Sequence, residues 1–210
     1  PWAIREIVGD SDEEPTREEV VAELVLFMRE TERELGERKA TGFLKKACDL
    51  NLAEACLDLA AASRAGEGTK KDPERAAILY QKACDGGAPA GCAELAGMLT
   101  SGSEVAKHLG RAAELNLKAC DGGRAASCGL LAAMYAEGSP MARDDTKAAS
   151  LYDRGCTGGD AMSCARLAGM VRDGRGVSKD PARAIALARK SCDTGLAAAC
   201  AALAPALQKG

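Results

Sequence analysis

Apolar and polar positions along this chain recur with a fixed period of 36 residues. Ala40, Ala76, Ala112, Ala148 and Ala184 form one register, and three residues further on stand Phe43, Leu79, Leu115, Leu151 and Leu187. A second block carries Leu59, Leu95, Leu131, Leu167 and Leu203, each followed directly by an alanine: Ala60, Ala96, Ala132, Ala168 or Ala204. Spacings of three and four residues put side chains on one face of an α-helix. The pattern therefore predicts two amphipathic helices per unit, a helix A and a helix B, in five successive units. No segment alternates with the period of two that a strand needs, so the fold class is all-α.

The polar punctuation agrees. The stretches "KDPERAA" and "KDPARAI" place Asp72 and Asp180 at N-caps, with Pro73 and Pro181 at the first helical position, where a missing N–H breaks no bond. Glycines in "CDGG" and "CTGG" close helix A, and Gly66, Gly102, Gly138 and Gly174 follow helix B, all suited to left-handed C-caps. The third unit reads "KHLG" in place of the "KDP" entry. His108 then stands where an N-cap Asp is expected, which predicts a loose start to that helix and a solvated His108 rather than a ligand. A hairpin of this kind buries its apolar face only by stacking on its neighbours, so an uninterrupted period predicts a solenoid.

Composition changes the picture in one respect. Aromatic residues are 3% of the 210, so the interior must rest on Ala, Leu, Met and Cys, which bury less area per residue. The ten cysteines supply the compensation. They form pairs eight apart in every unit: Cys48 and Cys56, Cys84 and Cys92, Cys120 and Cys128, Cys156 and Cys164, Cys192 and Cys200. Helix A ends near the first member and helix B has begun by the second, which brings the two Cα atoms within disulfide range. Each bridge closing so short a loop contributes about 2–3 kcal/mol on a chain-entropy estimate. Structural zinc sites use cysteines two to four apart and a second pair nearby, and His108 is the only histidine. No metal and no cofactor is therefore assigned. Even, regular cysteine usage suits an oxidising compartment.

Charge is unevenly spread. Residues 1–37 hold 12 acidic and 4 basic side chains, a net of -8, which leaves +5 for the rest of a chain whose total is -3. Within that basic region a pair of rows recurs. Lys39, Arg75, Arg111, Lys147 and Arg183 stand nine residues before the first cysteine of each unit, and Lys46, Lys82, Lys118, Arg154 and Lys190 stand two before it. Offsets seven apart fall on one helix face. Two readings stay open. The rows make contacts inside the fold, the later one at a helix C-terminus where cations meet the macrodipole and the earlier one with carboxylates such as Asp49, Asp85, Asp121 and Asp193, a position that Thr157 occupies in the fourth unit. Alternatively the rows bind a ligand, for which an acidic or C-terminal protein segment fits best and an anionic glycan is a further candidate. A pI of 5.4 and the lack of an aromatic stacking platform argue against nucleic acid.

The two ends differ from the repeats. Thr16 and Glu19 form a capping-box pair that starts an acidic helix, expected to cover the first unit. Residues 1–37 are thus an acidic extension with a capping helix, residues 38–210 form one domain of five repeats, and "PWAIREIVGDSDEEP" reads as a tether. A leader removed ahead of Pro1 is expected. At the other end Ala198, Ala202, Leu203, Ala206 and Leu207 leave a nearly uncharged helix surface, for which three readings stay open: a patch so rich in alanine that it stays exposed, a weak homodimer through the C-terminal helix, or a further helix where the natural chain continues. No apolar run has the length of a membrane span.

The segment "DPERAAILYQKACDGGAPAGCAELAGMLTSG", with Ala76, Leu79, Tyr80, Lys82, Ala83, Cys84, Gly87, Cys92, Leu95 and Gly102, resembles the Sel-like repeat (SLR) family, an α/α relative of the tetratricopeptide repeat. Its paired cysteines are similar to those of the Helicobacter cysteine-rich protein subgroup. Over residues 38–210 the resemblance implies a right-handed superhelix of five disulfide-closed hairpins whose helices A line a concave groove, so that the ten cations would make that groove basic. It also implies a non-enzymatic protein-interaction scaffold, periplasmic or secreted, with the mitochondrial intermembrane space as the alternative compartment. The subgroup's alternative activity is β-lactam binding or weak β-lactamase action. No Ser-x-x-Lys, Ser-Asp-Asn, Lys-Thr-Gly or His-Glu-x-x-His element is present, and no catalytic residue is assigned.

Overall fold

The computed structural model describes the backbone of residues 17–201 and the side chains of residues 33–201. The expected tether, Thr16, and the C-terminal Ala202, Leu203, Ala204, Ala206 and Leu207 lie outside the described residues. The helices are α1 (Arg17–Asp49), α2 (Ala53–Ala65), α3 (Pro73–Asp85), α4 (Pro89–Ser101), α5 (Leu109–Asp121), α6 (Ala125–Glu137), α7 (Asp145–Thr157), α8 (Ala161–Asp173) and α9 (Pro181–Asp193). Residues 197–201 open a tenth. Among the described residues there is no strand. Helices A and B alternate as the periodicity predicts, and the array is an α/α solenoid.

In the second to fifth units helix A starts on a side-chain cap. Asp72, Asp144 and Asp180 accept the N–H of Arg75, Lys147 and Arg183 at 2.9 Å. The loose start expected at His108 does not occur. Its Nδ1 accepts the Arg111 N–H at 3.1 Å, and α5 runs 13 residues like α3 and α7. An unprotonated ring nitrogen reaches the same N–H as a short carboxylate does.

Helices A and B meet through a turn in which the second glycine of "CDGG" takes the left-handed conformation, Gly87 at φ 91°. Asn51 does so in the first unit at φ 65°, as asparagine tolerates. The first glycine serves a different purpose. A Cβ on Gly158 would lie 2.7 Å from the Ala125 Cβ, and one on Gly122 would overlap the Pro89 ring. This residue lets one unit close on the start of the previous helix B.

One core runs from Ala60 in α2 to Ala184 in α9 and includes Leu95, Leu131 and Leu167. Leu115 and Leu151 are buried, but Phe43 in the same register is 70% exposed, and Ala40 is exposed too. The cause is the stacking. Each helix B packs more extensively on helix A of the next unit than on its own, and among the described residues no helix B precedes α1. The expected N-terminal helix is present as a straight continuation of the first helix A, 33 residues in all. Its described residues leave Phe43 uncovered.

Candidate functional site

All ten cysteines pair within their own units, with Cα separations of 4.5–4.7 Å. No cysteine is free. Small residues just before the cysteines permit this approach. A Cβ on Gly91 would lie 2.8 Å from the Ala83 Cβ, and one on Gly155 would lie 2.8 Å from the Ser163 Cβ. The equivalent pairs elsewhere are Ala47 with Ala55, Ala119 with Ser127, and Ser191 with Ala199. Sequence reasoning missed these pairs, although their register, one residue before each cysteine, is readable once the bridge is known.

The later basic row reaches backwards along the array. Lys82 donates to the Cys48 carbonyl at 2.7 Å, and the Lys118 ammonium lies 3.4 Å from Asp85. Arg154 donates to Asp121 at 2.9 Å and to the Cys120 carbonyl at 3.4 Å. Each cation thus meets the C-terminus of the previous helix A, where unsatisfied carbonyls carry partial negative charge. The bond from the Gln81 amide holds the Asp85 carboxyl below the usual range; burial opposes it, and Lys118 adds to the lowering. Lys190 is matched with Thr157, which offers no carboxylate, and its side chain has no partner among the described residues. Lys46 lies 6.0 Å from the centre of the Phe43 ring.

The earlier row also makes ties between units, but not to the aspartate after the cysteine. Arg111 donates to the Gln81 carbonyl oxygen at 3.0 Å and pairs with Glu114 at 3.0 Å. Arg183 pairs with Asp153 at 3.0 Å. Gln81 and Asp153 share one register, in which the other units place Lys45, Leu117 and Arg189. Lys147, matched there with Leu117, turns to its own cap Asp144 at 3.4 Å and lies 5.4 Å from the centre of the Tyr135 ring. Arg75, matched with Lys45, has no side-chain partner among the described residues, nor has Lys39.

These ties set consecutive helices A side by side. Clefts of about 290 and 370 Å³ open between units beside the bridges, the first lined by Asn51, Cys56, Lys82 and Asp85, the second by Cys120, Cys128, Asp153 and Arg154. The fold engages six ladder cations, Lys82, Arg111, Lys118, Lys147, Arg154 and Arg183. Even so, the Arg111 and Lys147 side chains remain 44% and 63% exposed. Among the described residues no cluster of His, Cys, Asp and Glu could hold a metal, and no helix is long and apolar enough to cross a membrane.

Disulfide-closed helical hairpins of one length, stacked helix B on next helix A, define an α/α repeat protein of the SLR class. The chain belongs to the Sel1 repeat family, whose model matches residues 53–87, 125–160 and 161–196, just over half of the 210 residues. Among solved structures it is similar to a protective antigen of uropathogenic Escherichia coli strains that displays an SLR fold, with 28% identity and a TM-score of 0.78 over 82% of this chain and 37% of that one. A Sel1 repeat protein from Oxalobacter formigenes shows 25% identity and a TM-score of 0.70 over 78% of this chain and 66% of that one. Helicobacter pylori cysteine rich protein B shows 28% identity and a TM-score of 0.52 over 63% of this chain and 96% of that one. The chain therefore spans little more than a third of the E. coli antigen's length. No curated protein sequence matches it. Sel1 repeat proteins typically mediate protein–protein interactions, and five disulfides fit an oxidising, extracytoplasmic environment.

Proposed function

We propose that this chain is a non-enzymatic interaction scaffold, periplasmic or secreted, that binds an acidic or C-terminal segment of a partner protein along the exposed face of its helices A. The observation that supports this reading is the spare donor capacity of the two rows. Arg183 uses one guanidinium nitrogen on Asp153, so donors of its five-donor fork stay open to a carboxylate. The side chains of Arg75, Lys39 and Lys190 have no partner among the described residues. The bridges fix the hairpins before binding, which lowers the ordering cost of association.

A fluorescein-labelled acidic peptide with a free C-terminal carboxylate, titrated by anisotropy, tests the reading. Reversing Arg75, Arg111 and Arg183 to Glu should abolish binding and leave the helical circular dichroism nearly intact. Binding should also weaken as salt rises, because exposed charges are screened beyond about 8–10 Å at physiological ionic strength. A peptide that binds the reversed variant equally well, or a variant that loses helix and binding together, would mean that these cations serve only the fold.

A further inference from the structure

Four joints link the five units; their helix packing follows one construction, while the charge ties vary from joint to joint. Helix B of one unit, with the C-terminal end of its helix A, receives the face of the next helix A that carries the residues nine, five and two before the cysteine. On α5 these are Arg111, Leu115 and Lys118: Arg111 bonds Gln81, Leu115 is 1% exposed and Lys118 pairs with Asp85. On α7 Leu151 is buried and Arg154 pairs with Asp121. The same registers on α1 hold Lys39, Phe43 and Lys46, yet Phe43 is 70% exposed and Leu50, one turn further, 81%. Leu35, Lys39, Phe43, Lys46 and Leu50 follow at intervals of four, four, three and four residues and so share one helix face.

The fifth unit offers the complementary half. Asp193, equivalent to Asp85 and Asp121, is exposed at the end of α9 and has no partner among the described residues. Ala197, equivalent to the Pro89 and Ala125 on which the next helix A closes, is exposed as well.

A preceding hairpin could not reach the α1 face through the connection used elsewhere. In the other units a loop ends at an N-cap 12 residues before the cysteine, at Asp72, His108, Asp144 or Asp180, whereas α1 runs unbroken through the equivalent Gly36 back to Arg17. The acidic run Asp10–Glu14 of the same chain cannot reach Lys46 either. It stands three to seven residues before Arg17, a backbone reach of at most about 25 Å for extended chain, while Lys46 is about 44 Å along the helix.

We propose that the open face of α1 receives the last unit of a second copy of this chain, with Lys46 opposite Asp193, Leu50 beside Ala197 and Phe43 covered in the same contact. The contact is heterologous, head to tail, and carries the internal joint across two molecules. It is not an exact copy. Leu50 stands where the inner joints have Gly86, Gly122 or Gly158, and Lys39 would lie opposite Arg189, so the intermolecular joint is wider and weaker than the inner ones. Association therefore depends on concentration. The proposal is independent of peptide binding by the later helices A.

Sedimentation velocity of the full chain over about 1 μM to 1 mM tests it, with self-association expected to grow with concentration. Phe43→Glu should be monomeric throughout with unchanged circular dichroism, since Phe43 is exposed. Lys46→Glu and Asp193→Lys should each weaken association about tenfold. An equimolar mixture of these two variants should restore it, because one joint then pairs the introduced charges and the other keeps the original pair. A strict monomer over the whole range, association indifferent to Phe43→Glu, or a mixture that fails to recover would each overturn the proposal. So would a monomer that associates only after removal of residues 1–16, since the face would then be covered from within the chain.

Discussion

His108 shows how one side chain keeps a repeat in register after its consensus residue is lost. The imidazole supplies the acceptor that aspartate supplies elsewhere, so His108→Ala should destabilise the protein by about 0.5–2 kcal/mol in urea unfolding. His108→Asp should retain or raise stability, since a carboxylate also complements the helix N-terminus. Other carboxylates set the pH response. The Lys147 N–H holds the Asp144 carboxyl below its usual range, Arg143 does so for Asp145, and Arg172 for Asp173. Stability from such groups is fully present above about pH 4, the unfolded value, and is lost as pH falls through the lowered folded values. Burial, with Glu94 as a second cause at Tyr80, raises the Tyr80 and Tyr152 hydroxyls. Their contribution is present below about pH 10 and lost as pH rises through the raised values. The urea midpoint should therefore fall on both sides of a plateau, and a midpoint that rises on acidification would contradict this account.

At the scale of the element, the hairpin depends on its bridge more than on its own packing, because helix B touches its own helix A less than the next one. Replacing Cys120 and Cys128 together by Ser should cost about 2–5 kcal/mol, read from urea unfolding of the oxidised proteins. Complete reduction should add about one mass unit per cysteine, with each bridge mapping inside one unit. Peptides that link different units would refute the pairing. Much of this element was legible in advance. Periodicity gave the helices, Asp72 and Asp180 their starts, and the eight-residue spacing the bridges. The close pairs Ala83 with Gly91 and Gly155 with Ser163 were not, because an alanine or glycine next to a cysteine carries no signal until the crossing helix is in place.

Across the whole molecule, units touch chiefly their neighbours in sequence, so stability is nearly a sum of hairpins and joints. The inner helices α3 to α8 have partners on both sides, whereas α1 lacks one. Hydrogen exchange should accordingly be slowest in α4 to α7 and faster in the described residues of α1. Uniform protection along the array would imply a single cooperative block instead. The candidate site was only half legible at this scale. All ten cations were readable by register, but their division into tied and free was not. Arg111 finds Gln81, Arg183 finds Asp153, and Arg75 meets only the register of Lys45.

The sequence by itself determined the period, the helix pairs, the caps at Asp72 and Asp180 and the cysteine pairing, because each depends on residues within a few turns of one another. Only the tertiary structure decided the rest. Lys82 answers to a carbonyl 34 residues away and Arg111 to an amide 30 residues away, and Phe43 and Leu115 occupy one register with opposite exposure. The physical reason is that a repeat writes the same face into every helix A, while burial and charge pairing depend on what the neighbouring unit sets against it. Leu115 has helix B of the previous unit to cover it, and among the described residues Phe43 has none.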